Sequence, residues 1–129
     1  MIILEDFEKI CVEDVYIVAV NLTRSTLNEA SAFRKILEQE ISSEHSKLVI
    51  DLSRCDYIDS TFFGAIIISL KKMKSKGYKL KLVQPANPGE DIFTNRNLTS
   101  LFDLYKTREE AIKSFKGGSE PKSWLKIST

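Results

Sequence analysis

The segment YIDSTFFGAI, residues 57–66, places two hydroxyls, Ser60 and Thr61, directly after a carboxylate, Asp59, where an apolar stretch gives way to an apolar helical pattern. Two kinds of chemistry suit that arrangement. A Ser or Asp at a strand-to-helix junction is by default an N-cap, contributing about 1 kcal/mol. A serine at a helix N-terminus is also a favourable acceptor for phosphate, because free backbone N–H groups and the helix dipole stabilise added negative charge.

Other chemistries fit the sequence less well. A serine hydrolase needs a base beside its nucleophile. The only histidine, His45, precedes the strand that leads toward Ser60 and lies about 20 Å away at ~3.3 Å per residue. Asp51, Asp56 and Asp59 suit a receiver-type magnesium site poorly, because Asp51 falls inside its strand and no acidic pair ends the first strand. No glycine-rich phosphate loop is present. Neither a metal nor a cofactor is expected. The run KKMKSKGYKLK reads as a solvated helix end and edge strand, with Lys79 and Lys81 alternating against Leu80 and Leu82.

The elements that would position Ser60 follow from periodicity. Residues 7–12 and 15–21 read as strands joined at Glu13-Asp14, the second a continuous apolar run suited to a central position. In TLNEASAFRKILEQEI, Leu27, Ala30, Phe33, Leu37 and Ile41 recur at helical spacing, and Thr26 with Glu29 forms a capping box. KLVIDLS (47–53) is the clearest buried strand; helix 60–76 follows it and ends at Gly77. Residues 78–85 and 101–105 read as strands, and a short helix is expected around residues 90–95. A last helix, 107–115, opens with a second capping box, Thr107 and Glu110. Strands alternating with helices imply an α/β fold: a mixed, mostly parallel sheet covered by about four helices. Residues 1–116 form one domain in this reading, and 117–129 a loosely ordered tail.

On a helix starting at Ser60, Phe62, Phe63, Ile66, Ile67, Leu70 and Met73 fall within one arc of roughly 140°, the expected core face. Thr61, Gly64, Ala65, Ile68 and Lys72 fall on the other side. Ile68 is then either one scattered exposed apolar residue or part of a flat contact patch beside Ser60, with Gly64 letting a partner's backbone come close.

Composition sets the outer limits. With 129 residues, 43% hydrophobic and 29% charged, the chain has the size and composition of a single globular domain. A net charge of +1 gives no general pull toward nucleic acid. The longest nearly apolar run, 62–70, is too short for a membrane span, and the N-terminus lacks the features of a secretory signal, so a cytoplasmic protein is expected. Cys11 and Cys55, without metal-ligand spacing, are read as small reduced core residues.

LVIDLSRCDYIDSTFFGAI resembles the signature of STAS domains, the anti-sigma factor antagonist family. The family pattern runs apolar-Asp-Leu-Ser, a short turn, apolar-Asp-Ser-Ser/Thr, then Gly-x-Gly. Ile50–Ser53 and Ile58–Thr61 match in register, and Gly64 matches the second glycine. LFDLYKTREEAI is similar to the family's closing segment of a short strand followed by Ser/Thr-x-x-Glu-Ala. The resemblance covers residues 7–115. It implies a binding protein rather than an enzyme, acting by partner switching. Unmodified, it would bind an anti-sigma factor with serine kinase activity; phosphorylation of Ser60, with Thr61 as second choice, would release it. The expected contact residues are Asp59, Thr61, Phe62, Gly64, Ala65, Ile68, Lys72 and Arg24, on a monomer or weak dimer expected to bind neither membrane nor nucleic acid. Two departures stand out. Phe62 replaces a glycine, placing a ring near the acceptor. Arg24 and Ser25 stand near the place of an acidic loop residue, where Arg24 is either a solvated cation or a partner for a phosphate on Ser60. The alternative is a STAS scaffold subunit that is never phosphorylated.

Overall fold

A computed structural model describes residues 5–86 and 100–116. Five strands form one sheet in the order β1-β2-β4-β6-β7: β1 (Phe7–Val12), β2 (Val15–Val20), β4 (Lys47–Asp51), β6 (Lys79–Val83) and β7 (Asp103–Tyr105). The β1–β2 hairpin is antiparallel, and every other pairing in this sheet is parallel. Three helices appear among the described residues: α1 (Leu27–Ser42), α2 (Ser60–Ser75) and α3 (Arg108–Lys113). The helix expected at 90–95 and the tail 117–129 lie outside the described residues.

Both expected capping boxes mark helix starts. Thr26 accepts from the Asn28 N–H, and Glu29 returns a 2.9 Å bond to the Thr26 N–H. At α3 the pattern is shifted by one residue: Thr107 accepts from the Glu110 N–H, while Glu110 accepts from the Lys106 N–H rather than from that of the cap itself. The α2 helix ends in a Schellman motif. Gly77, at φ 75°, donates to the Lys74 carbonyl and Tyr78 to that of Met73. The α1 helix ends in the same pair of bonds, from Glu44 to Ile41 and from His45 to Glu40, but there Glu44 takes the left-handed position at φ 63°.

Helices α1 and α2 pack together on one face of the sheet. Phe62 stacks on Phe33 of α1 (centroids 4.3 Å apart), which in turn stacks on Phe7 of β1 (5.4 Å). The opposite face carries a smaller cluster, Val15, Ile17, Val49 and Val83, closed by Ala111 of α3 with Ile112 and Phe115 beside it. Asp51, at the end of β4, holds this helix: the Arg108 Nε donates to its Oδ2 at 2.9 Å, and the Ser53 N–H to its Oδ1.

Several side chains differ from the sequence reading. Lys81, expected to face solvent on an edge strand, is buried because β6 lies between β4 and β7 and α3 covers that face; its ammonium donates to the Ser114 Oγ at 2.8 Å and lies over the Phe115 ring. Cys11 is exposed, since β1 is an edge strand with a neighbour on one side only; Cys55 is buried. Ile67 is half-buried rather than core. Leu27, first in the apolar series of α1 and the first residue of the helix, is 63% exposed. In the hairpin turn, the Lys47 ammonium donates to Asp14 at 2.6 Å and holds that carboxyl below the ordinary aspartate range.

Candidate phosphoacceptor and contact surface

Two short segments that the sequence pattern left as loops build the site. Arg24–Ser25 (β3) and Tyr57–Ile58 (β5) pair in parallel as a separate two-stranded sheet. Each feeds directly into a helix, so the N-termini of α1 and α2 are brought side by side. Ser25 is fully buried, with its Oγ 3.4 Å from the Cys55 Sγ. Its carbonyl accepts from the Asp59 N–H at 3.0 Å.

Asp59 rather than Ser60 is the N-cap of α2. Its Oδ1 accepts from the Phe62 N–H at 2.8 Å, and its Oδ2 accepts from the Leu27 N–H of α1 at 2.9 Å. One carboxylate thus satisfies a free N–H on each of two helices. Ser60 is the first residue of α2 and is exposed, as is Thr61. The Ser60 hydroxyl takes no part in a hydrogen bond among the described residues, so the capping role falls to Asp59 and the hydroxyl faces solvent.

Phe62, expected among the contact residues and as a shield over Ser60, is fully buried. Its ring points into the aromatic stack, away from the surface, so it can neither meet a partner nor cover the hydroxyl. A glycine here would leave the space between Phe33 and the sheet unfilled. Ala65 is also buried, at 3% exposure, and forms floor rather than rim. Thr61 and Ile68 are exposed, Ile68 at 46%, and Gly64 is half-exposed with open space where a Cβ would stand. Lys72, further along, is exposed and pairs with Glu38 at 3.7 Å. Arg24 stacks over the Tyr57 ring at 4.4 Å, which accounts for its position without a phosphate.

Thr61, Gly64, Ala65 and Ile68 form one wall of a shallow groove of about 390 Å³. The other wall comes from α1, chiefly Leu27, Ala30 and Arg34. Sequence reasoning missed this wall. Its only signal was Leu27, placed ahead of the capped helix's first full turn, where an apolar side chain has little beneath it. Among the described residues no group of three His, Cys, Asp or Glu side chains is placed to hold a metal ion, and no helix is long and apolar enough to cross a membrane.

Comparison with known proteins places these features. The family model described as STAS domain matches residues 6–111. A Thermotoga neapolitana protein named as an anti-sigma factor antagonist homologue is 30% identical over 107 residues, covering 82% of this chain and 94% of that one. The crystal structure of a Thermotoga maritima protein described in the same terms superposes with a TM-score of 0.68 at 27% identity, over 84% of this chain and 92% of the other. The anti-sigma factor antagonist SpoIIAA in its unphosphorylated form shares the fold, with a TM-score of 0.68 at 15% identity over 86% of this chain and 98% of its own; the phosphorylated form from Bacillus gives 0.65.

Proposed function

The chain belongs to the STAS domain family, and we propose that it acts as an anti-sigma factor antagonist by partner switching on Ser60. In this reading the unmodified protein binds, in the cytoplasm, an anti-sigma factor with serine kinase activity. That binding frees the sigma factor. Phosphate on Ser60 then ends the complex. Binding, not catalysis, is the chain's own task.

The observation that supports this reading is the separation of two roles that one serine could have carried. Asp59 caps α2, and the Ser60 hydroxyl is exposed and makes no hydrogen bond among the described residues. A phosphate there adds about −1.5 to −2 charge at pH 7 beside helix N–H groups, which tolerate it. The same charge, set next to Asp59 at a close protein contact, weakens that contact; an unpaired desolvated charge costs several kcal/mol.

The test is incubation of the purified protein with each anti-sigma kinase of its source organism and ATP, followed by intact-mass analysis and site mapping. One added phosphate on Ser60, lost in Ser60→Ala and accompanied by release from the kinase, is expected. A stable complex that stays unmodified would replace this reading with the non-phosphorylated scaffold, which the Arg24-Ser25 pair, in place of the family's acidic loop residue, favours. Ser60→Ala remains folded in either case, because the cap is Asp59.

A further inference from the structure

Five large apolar side chains are exposed among the described residues, and two of them, Leu27 at 63% and Ile68 at 46%, line the same groove from opposite helices. Between them the groove has small residues, Ala30 and Gly64, and a Cβ added at Gly64 would meet nothing within 4 Å. A large side chain from outside therefore fits between Leu27 and Ile68. One lining residue is ionisable: Arg34, exposed, whose guanidinium makes no ion pair or hydrogen bond among the described residues. Among the charges on these helices, Glu29 is held in the capping box, Asp59 on two N–H groups, and Lys72 by Glu38.

We infer that this groove receives a partner segment presenting a large apolar side chain with a carboxylate beside it, the apolar group seated between Leu27 and Ile68 and the carboxylate on Arg34. A planar guanidinium at the edge of an apolar slot favours a carboxylate, which it can meet with two parallel N–H···O bonds. A second copy of this chain is the poorer occupant, since a two-fold contact through the groove would set Arg34 against Arg34. The inference rests on the proposed partner switch and supplies its direction. Ser60 is adjacent to Thr61 on the groove wall, so a phosphate there repels a carboxylate-bearing segment whether or not it touches the segment.

The test uses the isotope-labelled full chain and two synthetic amphipathic peptides, identical except that one carries Glu and the other Lys beside its Leu anchors. Amide shifts of Leu27, Arg34, Gly64 and Ile68 are followed by NMR, which registers contacts even in the millimolar range. The Glu peptide is expected to bind about threefold tighter than the Lys peptide, the scale of one partly exposed ion pair. Arg34→Glu should invert the preference, and Leu27→Lys should abolish both responses. Arg34 and Leu27 are surface residues, and matching spectra elsewhere in the chain would show that both variants fold. Equal response to the two peptides, no response, or shifts confined to another face overturns the proposal. So do shifts of the same amides with protein concentration alone, which would make the occupant a second copy. If the peptides discriminate while Ser60 stays unmodified by every kinase, the groove stands and the phosphate switch falls; if Ser60 is modified while the peptides do not discriminate, the reverse holds.

Discussion

The Leu27 N–H donates to the Asp59 Oδ2 at 2.9 Å across 32 residues of sequence, so the cap of α2 also ties down the start of α1. An ordinary N-cap is worth about 1 kcal/mol. Asp59→Ala leaves two N–H groups without their acceptor and is expected to cost about 2 kcal/mol in urea denaturation. Asp59→Asn keeps one acceptor oxygen and should lose roughly half as much. An Asp59→Asn variant as stable as the parent would mean that the bond to Leu27 adds no stability.

The two walls of α2 can be told apart by charge. Ile66 is fully buried, so Ile66→Lys should cost about 3 kcal/mol or more, or prevent folding. Ile68→Lys should stay within about 0.5 kcal/mol of the parent, as exposed substitutions do, yet weaken binding of the proposed partner. Ile67, half-buried, should fall between them. Thermal melts that rank Ile68 with Ile66 would refute the assignment of faces.

Gly64 sets stability against recognition. Glycine inside a helix is less favourable than alanine by about 0.8–1 kcal/mol, and nothing lies within 4 Å of the added methyl. Gly64→Ala should therefore raise the melting temperature while weakening binding, because its Cβ enters the groove. A variant that gains stability and binds as before would show that no partner comes close at this position.

The two Schellman motifs offer an internal control. Gly77 occupies the left-handed position after α2 without strain, while Glu44 occupies the matching position after α1 with a side chain that disfavours it. Left-handed backbone costs a non-glycine residue about 1 kcal/mol. Glu44→Gly should return most of that, measured as a shift in urea midpoint at unchanged slope; Gly77→Ala should cost a similar amount.

The elements that read clearly in the sequence are those with several turns or several alternations. The Thr26–Glu29 capping box and the apolar run of β4 each combine a start signal with a sustained pattern, and both fall where expected. The parallel pair β3–β5 is only two residues long on each side, too short to show any period, yet it is what brings the two helix starts together. Lys81 alternates with leucines as a half-exposed strand would, but α3 arrives from much later in the chain to cover it, and nothing near Lys81 announces that. Ser60 could be placed at a helix start from its neighbours alone. That its hydroxyl is spared for other work depends on which oxygen does the capping, and Asp and Ser in sequence leave that choice open.

The cluster of Val15, Ile17, Val49 and Val83 is assembled by strands made early, but its described cover is a single helix whose residues come off the ribosome among the last of the domain. During synthesis, the sheet can form with one side sealed by α1 and α2 while the other waits for Ala111 and Ile112. A nascent chain halted before Thr107 would present that bare apolar side to chaperones, and a purified fragment ending there should bind a hydrophobic dye that the full chain excludes. The Arg108–Asp51 ion pair joins this late helix to a carboxylate made much earlier, with β4.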